Sequence, residues 1–207
     1  MTAPSLQAPT PALILASASS ARRALLAACG LVFRALPAAV DEQALKQAAR
    51  REGASAGDAA LLLAETKAQR LSRRNPEALV IGADQILVQD TTWFDKPTDK
   101  AAARAQLQTL RGQWHVLETA VICVVAGQRV WHHLARPRLH MRSFSEAALE
   151  AYLAIEGEHL TGSVGAYRLE GPGALLFDCV EGEHSAILGL PLLPLLGFLR
   201  QRGVLLD

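Results

Sequence analysis

The 207-residue chain carries 21 lysines and arginines against 20 aspartates and glutamates, a formal net charge of +1, and half of its residues are apolar. This composition predicts an ordinary globular protein and argues against nucleic acid or an anionic membrane as a partner. No apolar run reaches the roughly 18 residues that a membrane-spanning helix requires. The three cysteines form no CxxC pair, so we expect a reducing cytoplasm and no structural zinc.

The first predicted strand and helix enclose a hydroxyl-rich turn. Leu13–Ala16 predicts a buried strand, Ser17 and Ser19 follow in the turn, and Arg22 lies in a predicted helix over Ala21–Cys29. Helix N-terminal N–H groups, hydroxyls and a guanidinium fork together favour phosphate binding. The alternative is an ordinary helix cap with solvated arginines.

Strands and helices alternate at both ends of the chain, whereas the middle predicts an antiparallel hairpin with its turn at 126–128. The further predicted strands span 32–36, 78–88, 115–125, 129–141 and 174–180, with another short one over 183–188. The further predicted helices begin near Asp41, at caps Asp58, Thr98 and Ser145, and at Pro191. This order predicts an α/β fold with a mixed twisted sheet flanked by helices, in two lobes around a central cleft. We expect a flexible tail over 1–11 and a single domain over 12–207.

Two acidic positions stand out. Asp84 lies inside an apolar strand, and a buried carboxylate needs a cation, a metal or strong hydrogen-bond donors. Gly82, two residues earlier, permits close approach of a ligand or of another backbone. Asp41 and Glu42 follow a strand and precede a helix. The alternative for Asp84 is an aspartate at the end of a strand that is hydrogen-bonded to the next turn. The alternative for Asp41 and Glu42 is a helix cap followed by an acidic residue in the first turn.

The remaining candidates are two lysines and a glycine-rich segment. Lys67 lies on a predicted long helix, where a solvated lysine is the alternative, and Lys96 is held in an extended conformation by the proline after it. Segment 162–173 is rich in glycine but lacks the dinucleotide-binding spacing, so a flexible loop is the alternative. The histidines show no metal-ligand spacing and are predicted to be surface or structural residues; they are His115, His132, His133, His140, His159 and His184.

The order of these motifs along the chain resembles that of the Maf family of nucleoside triphosphate pyrophosphatases. The resemblance covers nearly all of the chain after Pro11. The motifs that carry the resemblance are Leu15–Ser19 with Arg22, Val40–Glu42, Lys67-Ala68, Gly82–Asp84, Lys96-Pro97, the loop 162–173 and Ile187–Leu192. The resemblance implies a Maf-like domain that forms a homodimer in many members. It also implies Mg²⁺- or Mn²⁺-dependent cleavage of a nucleoside triphosphate between the α- and β-phosphates, giving a monophosphate and pyrophosphate.

The resemblance also implies roles for individual residues. Asp84 is expected to accept the proton of the attacking water, and with Glu42 to hold the divalent metal through carboxylate oxygens; both roles stay open for this one aspartate. Arg22, Lys67 and Lys96 would bind the polyphosphate and stabilise the leaving pyrophosphate. Ser17, Ser19 and nearby N–H groups would orient the phosphates.

Three positions separate the subgroups of the family. One subgroup, acting on dTTP and UTP, has Arg before the motif arginine, Thr after the aspartate and Gln in the late loop. The other, acting on 7-methyl-GTP, has Trp, Gln and Glu there. This chain has Ala21, Gln85 and Glu170, so 7-methyl-GTP is the expected substrate and dTTP or UTP the alternative. Ala21 removes the stacking ring, for which Trp93 is a candidate replacement.

Two other classes of function compete with the enzyme. The family's name suggests a nucleotide-binding regulator of septum formation, and an α/β fold also suits a nucleotidyl or glycosyl transferase. A regulator has no need to keep Asp84, Glu42, both lysines and Arg22 together, and the chain has neither a dinucleotide nor a DxD signature. The residues therefore favour the hydrolase.

Overall fold

The structure, a computed structural model, describes residues 5–206. The strands within them are β1 (Leu13–Leu15), β2 (Phe33–Ala35), β3 (Leu79–Gln89), β4 (Thr92–Phe94), β5 (Trp114–Val125), β6 (Gln128–Ala135), β7 (Arg138–Met141) and β8 (Phe177–Glu181). The helices are α1 (Ser20–Ala28), α2 (Glu42–Arg51), α3 (Ala56–Ser72), α4 (Lys100–Leu110), α5 (Glu146–Glu156), α6 (His184–Ile187) and α7 (Leu192–Gln201). Three 3₁₀ helices span Gly157–Thr161, Val164–Ala166 and Pro172–Leu176.

The eight strands belong to one mixed sheet. Its order is β2-β1-β3-β5-β7-β8, and β4 pairs with β3 while β6 pairs with β5. Strand β1 runs parallel to β2 and β3, whereas β4, β6, β7 and β8 join their neighbours in antiparallel pairs. This confirms the predicted α/β class with a mixed sheet. Along residues 5–206, no helix is long and apolar enough to cross a membrane.

The described chain divides into two compact units, of which the first contains residues 5–85, 119–135 and 189–206. Leu15 of β1 lies beside Ala35 of β2 and Ile81 of β3. Strand β1 and the first part of β3 are buried throughout, as is usual for parallel strands covered on both faces. The main members of this core are Leu13, Leu15, Leu26, Leu79, Ile81, Val121, Leu195, Phe198 and Leu199.

The second unit contains residues 86–118 and 136–188. Within it, β7 pairs with both β5 and β8, and helices α4 and α5 contribute apolar residues to a separate core. Its members include Leu87, Phe94, Leu107, Leu110, Leu117, Leu139, Met141, Phe144, Tyr152, Leu153 and Tyr167. The single domain expected over 12–207 stays a prediction.

Two helices begin at a residue other than the predicted cap. Ser55, not Asp58, caps α3: its Oγ accepts from the Asp58 N–H at 3.1 Å and donates to Asp58 Oδ2 at 2.6 Å. Asp58 therefore lies in the first turn, where its carboxylate accepts a hydrogen bond from the capping hydroxyl. Asp99, not Thr98, caps α4, since its Oδ1 accepts from the Ala102 N–H at 2.8 Å.

The hairpin in the middle of the chain is confirmed, but its second strand is divided. Strand β6 pairs with β5 from Thr119 onward, and β7 pairs with β5 from Trp114 to Val116. The single strand predicted over 129–141 stops at Arg136 and Pro137, because proline has no N–H to donate to a ladder. Pro137 still accepts a hydrogen bond, at 3.0 Å from Leu117 N–H.

Two other strand predictions differ from the structure, and one strand of the structure has no prediction. The segment 183–188, predicted as a strand, contains helix α6, and Ser185 Oγ donates to Glu183 Oε1 at 2.5 Å at its start. The strand predicted over 174–180 begins at Phe177, after a 3₁₀ helix. Strand β4 was not predicted, since three residues are too few to show an alternating pattern.

The expected flexible tail includes described residues that are hydrogen-bonded. Residues 1–4 lie outside the described part of the chain. Gln7 exchanges two side-chain hydrogen bonds with the backbone of Val32, at 2.9 and 2.7 Å. The Ala8 N–H donates to Val204 O at 2.9 Å, and Gln7 bridges to Leu205. These bonds attach residues 7 and 8 to the first unit.

A buried histidine in the second unit makes folding stability depend on pH. Burial lowers the pKa of His115 to about 4, while its Nε2 lies 2.8 Å from Tyr167 Oη. An unfolded histidine takes up its proton near pH 6.5, so the unfolded state binds more protons between pH 6.5 and 4. We expect the free energy of unfolding to fall by about 3 kcal/mol as the pH drops through this window.

Urea denaturation at several pH values measures this loss, and His115→Gln should make the pH dependence shallower. The exposed His132 provides the control, because His132→Gln should leave the slope unchanged. An identical slope in wild type and His115→Gln would show that the buried imidazole is not the linked group.

Candidate active site

The turn after β1 is built by hydroxyls that bond to the start of α1. Ser17 Oγ accepts from the Ser19 N–H at 3.2 Å, and Ser19 Oγ caps the helix by accepting from the Arg22 N–H at 3.3 Å. Arg22 Nη1 also donates to Ser17 Oγ, at 3.3 Å. Ser19 is therefore an N-cap, as the alternative interpretation expected, but Arg22 is bonded to Ser17 and is not simply a solvated arginine. Phosphate binding at this turn stays a prediction.

A second backbone segment fixes Arg22. Its Nε donates to the carbonyl oxygen of Gly189 at 2.8 Å, across 167 residues of sequence. Gly189 has a φ of +96°, and a Cβ there would lie 3.1 Å from Arg22 Nε. A glycine at this position therefore suits both the backbone conformation and the close contact.

The centre of the site is a lysine between two carboxylates. Lys67 Nζ lies 2.5 Å from Asp84 Oδ1 and 2.7 Å from Glu42 Oε1. Lys67 and Asp84 are 7% and 4% exposed, whereas the side chain of Glu42 is 47% exposed. The buried carboxylate of Asp84 thus has the cation that its burial requires, and Glu42 connects the pair to solvent.

The residue two positions before Asp84 explains how α3 comes so close to β3. A Cβ on Gly82 would lie 2.1 Å from the carbonyl oxygen of Ala64 and 2.9 Å from the Ala68 Cβ. The sequence allowed either a ligand or another backbone to lie close to Gly82, and the structure shows the backbone of α3 there. This contact places Lys67, on the same helix as Ala64 and Ala68, opposite Asp84.

Parallel pairing of β1 with β3 brings the turn that follows β1 close to the part of β3 that carries Asp84. The Ala16 N–H donates to Ile81 O at 2.8 Å, so Ser17 and Asp84 both follow where β1 and β3 run side by side. Burial lowers the pKa of Arg22, while the negative charges of Asp84 and Glu42 oppose that shift. The site therefore combines two cations with two carboxylates in the first unit.

Two base-selecting candidates also lie in the first unit. Ala21 is the second residue of α1, half-buried, directly before Arg22. Gln85 Nε2 donates to Thr119 Oγ1 of β5 at 2.8 Å. No motif surrounds Thr119, so the sequence does not point to it. The sequence does not point to the carbonyl of Gly189 either, although Gly189 lies inside the motif Ile187–Leu192.

The remaining candidates belong to the second unit. Lys96 is exposed between β4 and α4, directly before the buried Pro97, and Trp93 of β4 is half-buried. Glu170 is exposed between the 3₁₀ helices Val164–Ala166 and Pro172–Leu176. Their roles toward a substrate stay predictions.

The carboxylates fit a hard divalent cation by type. Mg²⁺ is commonly held by one or two carboxylates together with substrate phosphates and water. Glu42 and Asp84 supply two carboxylates that already face one cationic nitrogen. Within residues 5–206, no cluster of three or more His, Cys, Asp or Glu side chains could hold a metal.

A family profile described as "Maf-like protein" matches residues 12–202, which is most of the chain. The chain belongs to the Maf-like protein family. The expected family resemblance is thus confirmed, and the matched range contains the turn 17–22 together with Glu42, Lys67 and Asp84.

Curated relatives of this Maf-like protein cover nearly its full length. A nucleoside triphosphate pyrophosphatase of Granulibacter bethesdensis is 58% identical over 93% of this chain and 98% of its own. A protein of the same name from Rhodospirillum rubrum is 54% identical over 98% of this chain and 100% of its own. A relative from Rhizobium meliloti, 46% identical over 94% of this chain and 98% of its own, is named 7-methyl-GTP pyrophosphatase.

Proposed function

We propose that this chain is a nucleoside triphosphate pyrophosphatase that cleaves between the α- and β-phosphates. The observation that carries the proposal is the buried Lys67 ammonium in contact with both Asp84 and Glu42. Family membership and the names of relatives that span nearly the whole chain support the reaction class. Phosphoryl transfer needs charge neutralisation and a positioned water more than covalent chemistry.

In the proposed reaction, Asp84 accepts a proton from water as the water oxygen bonds to the α-phosphorus. The bond from the α-phosphorus to the bridging oxygen breaks, and pyrophosphate leaves with that oxygen. Arg22 and Lys67 face the negative charge of the leaving group, and Lys96 is proposed to add a third cation. Ser17 and Ser19 orient the phosphates through hydroxyls and the N–H groups of the turn.

Glu42 and Asp84 are the residues proposed to hold Mg²⁺ or Mn²⁺, which would neutralise charge on the triphosphate. Lys67 contacts one oxygen of each carboxylate, so its ammonium and a divalent ion would both be held by Glu42 and Asp84. Because Lys67 is a flexible point charge, it can turn from the carboxylates toward a phosphate oxygen when the nucleotide is bound.

The proposed base is 7-methylguanine, with dTTP or UTP as the alternative substrate class. Glu170 would accept from the N1–H and N2–H₂ edge of guanine and offset the positive charge of the methylated ring. Gln85 can both donate and accept. Ala21 offers no stacking ring, and Trp93 is the proposed replacement. The name of the Rhizobium meliloti relative supports this assignment.

The proposal places the enzyme in the cytoplasm, acting on free nucleotides and not on nucleic acid or membranes. A homodimer is expected from the family resemblance. Size-exclusion chromatography with light scattering tests the oligomeric state.

We expect the purified protein to release pyrophosphate and a monophosphate from a nucleoside triphosphate when Mg²⁺ is present, and to stop when the metal is chelated. Product chromatography distinguishes this cleavage from release of inorganic phosphate and a diphosphate. Nucleotide binding without any pyrophosphate release would favour the septum-regulator alternative and contradict the hydrolase.

The same assay with several nucleotides tests the base. We expect kcat/KM for 7-methyl-GTP to exceed that for dTTP and UTP by about 10–100-fold, the range for one or two discriminating contacts. A preference for dTTP or UTP would overturn the base assignment and leave the cleavage reaction in place.

A further inference from the structure

The loop that carries Glu170 is closed by an ion pair to the end of α5. Arg168 Nε donates to Glu156 Oε1, and Glu156 is the last residue of the helix. Glu156 is 2% exposed, whereas the side chain of Arg168 is 30% exposed. Glu156 Oε2 has no hydrogen-bond partner within the described chain, so Arg168 provides the main compensation for this buried charge.

The backbone around Arg168 turns back on itself. The Gly171 N–H donates to Arg168 O at 3.2 Å, and a Cβ on Gly173 would lie 2.4 Å from the same oxygen. A Cβ on Gly171 would lie 3.5 Å from Arg168 Nη2. Glu170 thus lies in a tight turn between the Arg168 backbone and two glycines, with the guanidinium of Arg168 beside it.

Other contacts hold the preceding segment. Tyr152 Oη donates to Ala166 O at 3.0 Å, Ser163 Oγ donates to Tyr167 O at 2.6 Å, and the Gly165 N–H donates to the side chain of Gln106 at 3.1 Å. The loop is therefore fixed up to Tyr167 by uncharged bonds. The Arg168–Glu156 pair is the charged link next to Glu170.

We propose that Arg168 and Glu156 are positioning residues for base selection, because their ion pair fixes the turn that presents Glu170. This inference deepens the proposed function and rests on it. A carboxylate can discriminate between bases only if it stays at one place relative to the ring, since a displacement of about 1 Å can remove a large part of its contribution. Neither residue is assigned a contact with the substrate.

Arg168→Met should raise KM for the nucleotide that wild type prefers by about tenfold, with kcat within about twofold, because the phosphate site is unaltered. The matched control is Arg111→Met. Arg111 is equally exposed and pairs with Glu146, at the opposite end of α5, so both variants lose an arginine that holds this helix. The control should leave both constants near wild-type values.

Glu156→Gln serves as the second variant, because Arg168→Met leaves a buried carboxylate unpaired and can fail to fold. It keeps the side-chain shape, removes the charge and should also raise KM. Thermal unfolding shows whether each variant is folded before kinetics are measured.

A double-mutant cycle decides whether the pair acts through Glu170. Glu170→Gln alone should raise KM, and adding Glu156→Gln to it should change KM by less than about twofold, since coupled residues are not additive. Additive effects, or an unchanged KM in Glu156→Gln or Glu170→Gln, would overturn this inference. A wild-type protein that releases no pyrophosphate would instead overturn the proposed function.

Discussion

Asp84→Asn should lower kcat about 10³-fold while the protein stays folded and still binds nucleotide. The amide has nearly the same shape as the carboxylate, but it cannot accept the proton of the attacking water, and general bases contribute about 10²–10⁴-fold to rates. The variant also removes one of the two carboxylates that contact Lys67, at 2.5 Å. Turnover is measured by pyrophosphate release, binding by calorimetry, and folding by circular dichroism.

Asp41→Asn is the matched control. Asp41 lies directly before Glu42, and its side chain caps α2 by accepting from the Ala44 N–H at 3.0 Å. Asparagine caps helices about as well as aspartate, so this variant should keep its turnover within about twofold of wild type. If Asp84→Asn kept more than about a tenth of wild-type turnover, the assignment of the base would be wrong.

Gly82→Ala should destabilise the first unit strongly. The added methyl group would lie 2.1 Å from Ala64 O and 2.9 Å from Ala68 Cβ, and both neighbours belong to the buried face of α3. Overpacking a core typically costs about 1–3 kcal/mol, and contact with backbone cannot be relieved by a side-chain rotation, so we expect about 3 kcal/mol or more. Any relaxation moves α3 away from β3, which also separates Lys67 from Asp84 and lowers activity.

Gly197→Ala provides the comparison for this substitution. Gly197 lies within α7, and a Cβ there meets nothing within 4 Å. Alanine in a helix interior is favoured over glycine by about 0.5–1 kcal/mol, so this variant should unfold at a higher urea concentration. Equal stability of Gly82→Ala and wild type would show that α3 does not depend on the close approach.

The order of strands and helices could be predicted from the sequence because it depends on local patterns. Apolar runs marked β1 and β3, and Ser145 marked the start of α5. The predicted element boundaries and types were wrong where the sequence pattern was short, or where two neighbouring residues were equally suited to cap a helix. Ser55 and Asp58 both suit a helix start, and the segment 183–188 was too short to separate a strand from the single turn of α6.

The residue types of the candidate site were also predictable, but the reason for their placement was not. A carboxylate in an apolar strand requires a compensating cation or strong donors. This requirement made Asp84 a candidate but did not identify the residue that pairs with it. The sequence left Lys67 as a solvated lysine or a ligand-binding one, and only the packing of Gly82 on α3 shows that it is buried against Asp84.

The sequence by itself determined the α/β class, the family and the charged residues that are proposed for the site. The tertiary structure decided which of those charges meet: Lys67 with Asp84 and Glu42, Arg22 with Gly189, and Arg168 with Glu156. The physical reason is that periodicity and capping depend on neighbours along the chain. Pairing between distant residues instead depends on how closely strands and helices pack. A single glycine or proline can change that packing distance.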